Sequence, residues 1–379
     1  LMDFARDNLK ADLLIIIMSG CFTQRGVPAV MDKYDRAKVA IECGADLCVE
    51  LPFVASTACA EVFAKTGVAL AYALGATDLV FGAEDADARR FFEVAGLLSD
   101  ESYAFKEELT AYQKKGLTYP LSMKKALEDT GTDASLLDSP NNILGLMYVK
   151  AGKDCRLNFH AVRRTGKGHA FKLLDTFGFS SSLSIRTALK ENNIASALSQ
   201  LPFESAAVLE GKYDKRELVF EDELSALLHL KLFSNDDFTV FSDVSEDLSN
   251  RILSKRNEFL TFSGFAELLK TKNITLSRVS RCLIHILLDI KKDDETALKD
   301  EDFMPYIHIL AMKKKDSDLL KNIKIPHFAS ISEKAGLSTE SEKIFKKDCL
   351  AYDIYRILLT KKTGRNFINE SSRKFELYE

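Results

Sequence analysis

Gly44-Ala45-Asp46-Leu47-Cys48-Val49-Glu50-Leu51-Pro52 and Gly75-Ala76-Thr77-Asp78-Leu79-Val80-Phe81-Gly82 are two versions of one junction. In each, a glycine stands where a helix must end, because a residue without Cβ takes the left-handed conformation there at little cost. A short loop then feeds an apolar run of strand length. The helix ahead of the first junction runs from about Asp35 to Glu42, and the one ahead of the second from about Thr57 to Leu74. Upstream, Leu13–Met18 reads as a fully buried strand that stops at Ser19-Gly20. Strand, helix, strand at this spacing predicts right-handed crossovers and a parallel sheet. The fold class is therefore α/β, a Rossmann-like parallel sheet followed by a mainly α-helical domain.

Working outward, Ser139-Pro140 marks a helix start, serine as the cap and proline in the first turn, which brings Asn141 and Asn142 to that end. A strand over Arg156–Val162 follows, and another helix starts near Ser181–Ser184. Beyond about residue 200 the strand signal fades into amphipathic helices. This divides the chain into a Rossmann-like part, 1–200, and a helical part, 201–379. Leu1–Leu9 reads as the end of a helix feeding the strand at Leu13, so the pattern opens partway through. The strand and loop that ordinarily begin such a domain and hold phosphates are not among these residues.

Composition narrows the function. With 46% hydrophobic and 28% charged residues the chain has a globular profile. Leu13–Met18 is far too short to cross a bilayer and no charged-then-apolar leader opens the sequence, so a cytoplasmic location is expected. The seven cysteines are scattered without a CxxC pair, which supports neither a zinc site nor a disulfide framework. The histidines His160, His229, His285, His308 and His327 have no metal-ligand spacing, so no protein metal site is expected. Net charge is −4, yet residues 251–292 hold nine Lys/Arg against three acids, a local +6. Such a patch can bind phosphate backbones. From Thr275 on, Leu276, Val279, Leu283, Ile286 and Ile290 form one buried stripe, with Arg278, Arg281 and His285 on the opposite face. The plain alternative for that face is solvation, and Phe259, Phe262 and Phe265 nearby read as core.

In open parallel sheets ligands lie at the carboxyl ends of the strands. Those ends are Ser19 to Gly26, Glu50-Leu51-Pro52, Gly82-Ala83-Glu84-Asp85 and Arg163 to His169. Each glycine there could serve a turn alone, but several at one edge suit a close-lying ligand. Arg163-Arg164-Thr165-Gly166-Lys167-Gly168-His169 offers cations and backbone donors for phosphate oxygens. Ser180-Ser181-Ser182-Leu183-Ser184-Ile185-Arg186 offers a helix N-terminus and a guanidinium, although serine clusters also cap helices for structural reasons. Glu84, Asp85 and Asp87 read as acids favouring a helix start rather than as metal ligands.

These segments carry a resemblance. Met18–Ala29 with Asp32–Ala37 is similar to the signature stretch of tRNA(Met) cytidine acetate ligases, and Gly44–Pro52, Phe81–Glu84, Pro140–Gly145 and the Arg164 loop resemble further blocks of that family. Ser181–Arg186 resembles the SSTxIR-type motif of the wider HIGH nucleotidyltransferase superfamily, and Thr271–Arg281 the basic C-terminal motif. The resemblance implies a ligase that uses ATP, with Mg²⁺, to activate acetate as acetyl-adenylate and then acetylates the wobble cytidine of elongator tRNA(Met). It further implies ATP contacts from Gly82, Asn141 and Arg164, a phosphate contact from Arg186, and tRNA contacts from Lys272, Arg278 and Arg281. Leu183 replaces the threonine of the SSTxIR-type motif. The HxGH-type motif, expected to carry the catalytic histidines, is not among these residues. A small-molecule nucleotidyltransferase of the same superfamily, or a non-catalytic RNA-binding relative, is the alternative.

Overall fold

The computed structural model describes residues 1–99, 103–115, 117, 119–164, 180–373 and 375–379. Nine strands are found among them: β1 Ile15–Ser19, β2 Phe22–Thr23, β3 Val27–Pro28, β4 Leu47–Leu51, β5 Asp78–Ala83, β6 Asn158–Arg163, β7 Ile307–Lys313, β8 His327–Phe328 and β9 Leu377–Tyr378. Helices before residue 200 are α1 Met2–Asp7, α2 Lys33–Glu42, α3 Phe53–Ser56, α4 Ala60–Ala73, α5 Ala88–Ser99, α6 Tyr103–Lys114, α7 Tyr119–Asp129, α8 Pro140–Ala151, α9 Ser182–Lys190 and α10 Ile194–Leu198. Those after it are α11 Phe203–Asp214, α12 Ser225–Phe233, α13 Glu246–Lys255, α14 Phe262–Leu269, α15 Leu276–Leu287, α16 Lys292–Asp300 and α17 Thr339–Thr363. None of the described helices is long and apolar enough to cross a membrane.

The two junctions fold as the sequence predicts. Gly44 and Gly75 have φ of +110° and +76°, and their N–H groups return to the carbonyls of Ile41 and Tyr72. Strand β1 runs parallel to β4 in the register Ile15↔Leu47 to Ser19↔Leu51, and β5 runs parallel to β6 with Gly82 opposite Val162. Ser139 caps α8 by accepting from the Asn142 N–H, with Pro140 in the first turn.

Two expectations fail. The sheet does not end with the first half of the chain: β7, from residues 307–313, pairs antiparallel with the free edge of β4, and β8 and β9 add to it. Lys313 fixes this union, its N–H donating to the Asp46 carbonyl and its ammonium reaching the buried Asp46 carboxylate. Strand β1 is half-buried rather than fully buried along its length. It is paired on one edge only, and its other side faces a cavity of about 700 Å³ whose opposite wall includes Leu79, Phe81 and Gly82 of β5.

The main core runs through both halves of the sequence, packing Leu47, Val49 and Leu51 of β4 with Ile286 of α15, Ile307 of β7 and Phe345 of α17. A second core packs β5 and β6 on α5 and α8 through Phe81, Phe91, Leu146 and Phe159.

Candidate functional site

The carboxyl ends of β5 and β6 assemble three of the expected residues. Gly82 lies one register step from the end of the pair, and the chain leaves β6 directly into Arg164, whose N–H donates to the Ala83 carbonyl at 2.8 Å. The Arg164 side chain passes over Gly82, close enough that a methyl built there would sit 3.4 Å from its Cγ. The β5–α5 loop is fastened to the start of α8. Asn142 Oδ1 accepts from the N–H groups of Glu84 and Asp85 at 2.9 and 3.1 Å, and the Glu84 carboxylate accepts from the Asn141 amide and the Ser139 hydroxyl. Gly82 and Asn141 both line the cavity between β1 and β5. Residues 165–169, with the further cations and the glycines of the loop, lie outside the described residues.

Arg186 is held by a separate set of contacts. It sits in α9, donates to the Pro28 carbonyl at 2.9 Å, pairs with Glu221 at 2.8 Å and lies over the Phe220 ring. Glu221 also takes the Lys190 ammonium; burial opposes its ionisation, but these cations hold it below the usual glutamate value. The serines ahead of Arg186 act as a cap: Ser181 accepts from the Ser184 N–H, and Ser180 donates to Gln200. The acids after β5 behave as sequence suggests, with Asp85 accepting from the Asp87 N–H and Asp87 from the Arg89 N–H just ahead of and within α5.

The signature stretch after β1 contributes structure before chemistry. Residues 22–28 form a hairpin whose tip, Gln24-Arg25-Gly26, turns on a bond from the Gly26 N–H to the Thr23 carbonyl. Arg36 donates to the Ser19 and Gly20 carbonyls and so anchors the end of β1. Lys33 is fully buried, its ammonium bridging Glu50 and Glu370. His308 Nδ1 shares the Glu50 carboxylate at 2.7 Å. Sequence spacing gives no sign of this group, because its members lie on α2, β4, β7 and the C-terminal segment. Glu50, His308 and Glu370 are near enough to resemble a metal cluster, but the Lys33 ammonium is the cation bonded to both carboxylates.

The basic face needs correction. Val279, Leu283, Ile286 and Ile290 are buried as expected, but so is His285 on the supposedly solvated side. Its ring bonds the Ser242 carbonyl and the carbonyl and hydroxyl of Thr57. Desolvation by burial holds it below the ordinary histidine value. Arg278 and Arg281 both pair with Asp243 at 3.0 Å, and Arg281 is mostly covered. Arg251 caps the end of α14 through the Leu268 and Leu269 carbonyls, and Arg256 pairs with Asp236. The neutralising acids lie just upstream of the window in which the +6 was counted. Lys272 is exposed in the loop before α15. Phe259, Phe262 and Phe265 are core.

Comparison with known proteins identifies the family. Residues 1–370 match the HIGH Nucleotidyl Transferase family. The tRNA(Met) cytidine acetate ligase of Bacillus velezensis is 35% identical over 366 residues, covering 93% of this chain and 87% of that protein. Its counterpart from a Thermoanaerobacter species is 31% identical over 364 residues, covering 93% and 90%. Among solved structures, Thermotoga maritima TmcAL in its apo form superposes with a TM-score of 0.91 at 26% identity, covering 100% of this chain and 95% of that one. The same protein bound with alpha-thio ATP superposes with a TM-score of 0.88. From its parallel strand ends to its basic helix, the chain belongs to the HIGH nucleotidyltransferase family and, within it, to the tRNA(Met) cytidine acetate ligases.

Proposed function

We propose that this chain activates acetate with ATP and passes the acetyl group to the wobble cytidine of elongator tRNA(Met). The observation that carries the reading is the convergence of Gly82, Asn141 and Arg164 at the ends of two parallel strands. Open α/β sheets bind nucleotides at such ends. An acetate oxygen would attack the α-phosphorus of ATP, and pyrophosphate would leave with its bonding electrons. The cytidine N4 would then attack the acetyl carbon, lose its proton and release AMP. Activation is required because an exocyclic cytosine amine is a poor nucleophile toward free carboxylate. Such chemistry rests on positioning and on stabilising phosphate charge, which suits Arg164 with Arg186 at the rim.

Mg²⁺ would arrive with ATP and be held mainly by phosphate and water. The nearby carboxylates of Glu84, Asp85 and Asp87 are engaged with Ser139 and Asn141, with Arg90, and with Arg89. In this reading residues 1–200 hold the nucleotide and 201–379 supply tRNA contacts, with Lys272, Arg278 and Arg281 as the cations involved.

The test is ATP–pyrophosphate exchange on the full chain of the natural protein. Exchange that requires acetate is expected, and exchange driven by a different acid or by a nucleotide would replace this reading with that of a small-molecule nucleotidyltransferase. Arg164→Ala should cut the exchange rate by about ten- to a hundredfold, the worth of a charge-assisted hydrogen bond to a phosphate. A normal rate and ATP affinity in that variant would remove Arg164 from the site.

A further inference from the structure

Positive charge with no carboxylate to answer it gathers where α11 ends against the last turn of α17. The turn after α11 closes on two bonds, from the Arg216 N–H to the Tyr213 carbonyl and from the Glu217 N–H to the Lys212 carbonyl, at 2.9 and 2.8 Å. Arg216 takes the left-handed conformation there, with a φ of +60°. Helices usually place glycine or asparagine at that position, because a Cβ strains it. The Arg216 side chain is exposed and pairs with no carboxylate among the described residues, so no ion pair offsets the strain. Backbone held in this way is a feature of ligand-binding positions. Lys215 beside it and Lys361 in α17 are likewise exposed and without an ion pair among the described residues. Arg365 ties the two stretches together, donating to the Lys215 carbonyl at 3.2 Å and pairing with Glu217 at 2.8 Å. Asp214 is the exposed acid of this turn, and Glu217 is already shared by Lys212 and Arg365.

Phe220 carries the basic surface on towards the signature stretch. The cationic groups of Arg186, Lys190 and Lys362 lie 5.4, 5.9 and 5.4 Å from its ring centre, and Arg186 reaches the Pro28 carbonyl of β3. Glu221 and Glu223 neutralise these three in part. The arginines of α15 differ from the outer cations, because both are already paired with Asp243. We propose that Lys215, Arg216 and Lys361 form a phosphate-binding surface for the tRNA backbone at the junction of α11 and α17. The inference rests on the reading of the chain as a tRNA-directed ligase. Cations on a fixed turn with no carboxylate to displace suit a polyanion, whose counterions they release on contact. Backbone contacts of this kind position the RNA and carry no sequence information of their own.

The experiment measures binding of elongator tRNA(Met) against salt, and acetate-dependent ATP–pyrophosphate exchange without tRNA, in the full chain of the natural protein. Arg216→Gly separates binding from structure, because it removes the charge and relieves the left-handed backbone together. It should unfold in urea at the wild-type midpoint or above, while the salt slope for tRNA binding falls by about one. A triple variant with Lys215→Ala, Arg216→Gly and Lys361→Ala should bind tRNA about tenfold more weakly or worse near physiological salt, with the slope reduced by about two to three. Its exchange without tRNA should equal that of the wild type. A folded triple variant with wild-type affinity and slope would overturn the proposal, and so would an Arg216→Gly protein that loses stability but keeps the wild-type slope. Should the wild type fail to exchange with acetate while the triple variant still lowers the salt slope for tRNA, the ligase reading falls and the phosphate-binding surface stands.

Discussion

At the scale of single residues, Gly26 shows how closely the basic helix is joined to the nucleotide-binding part. The left-handed backbone it adopts costs a residue with a Cβ about 1–2 kcal/mol. The methyl of Gly26→Ala would also overlap the backbone of Ser280 and Arg281, which cannot rotate away. Urea unfolding of Gly26→Ala should therefore show a loss of at least about 2 kcal/mol, and a loss within about 0.5 kcal/mol would mean that the hairpin does not bear on α15. Gly82, Asn141 and Arg164 were legible as site candidates because strand ends, a helix start and a cationic loop each have local signatures. The buried role of His285 was hidden in the sequence because its partners, Ser242 and Thr57, lie far from it along the chain.

At the scale of elements, α15 answers to more neighbours than its own periodicity reveals. A helical pattern locates an apolar stripe, and the stripe was read correctly. It says nothing of what covers the other side, where Asp243, Thr57 and the hairpin tip all press in. Arg278 and Arg281 consequently share one carboxylate, and a phosphate binding there would have to compete with Asp243 for them. Arg278→Ala with Arg281→Ala should weaken tRNA binding and flatten its dependence on salt, by about one unit of slope for each phosphate no longer neutralised. Asp243→Asn leaves both cations in place, so it should bind tRNA at least as tightly as wild type. Equal weakening in the double variant and in Asp243→Asn would show that the pairs only dock the helix. Strand β7 escaped the sequence reading although residues 307–312 are a short, mostly apolar run of strand length. It lies among helices, far from the strands it joins, so alternation of elements could not announce it.

At the scale of the whole molecule, the buried group of Lys33, Glu50, His308 and Glu370 ties the start, middle and end of the chain together. Burial opposes the Lys33 charge, yet Glu370 and Glu50 raise its pKa well above the ordinary lysine value. Burial likewise opposes ionisation of Glu50, and Lys33 with His308 holds it well below the ordinary glutamate value of 4.5. Removing one partner strands the others, so Lys33→Met should cost about 3–5 kcal/mol at neutral pH. Glu50 and Glu221 are both depressed, so their contributions are present above 4.5 and are lost as pH falls through their folded values. Asp348, whose carboxyl burial and the Glu50 charge push well above the usual aspartate value, works with the opposite sign and offsets part of that loss. Wild-type unfolding free energy should thus fall on acidification below about pH 4.5, and Lys33→Met should lose part of that dependence. A Lys33→Met protein as stable and as acid-sensitive as wild type would refute this account. The parallel pairs β1–β4 and β5–β6 were readable from glycine junctions and apolar runs, whereas the closure of the sheet by β7 was not. That closure has a consequence for biosynthesis. The ribosome delivers Leu47–Leu51 long before Ile307–Lys313, so the first half of a nascent chain leaves the tunnel with one edge of β4 waiting for a strand still unmade. Until then that edge is open to pairing with a neighbouring polypeptide, and the interval is a natural point for chaperone engagement.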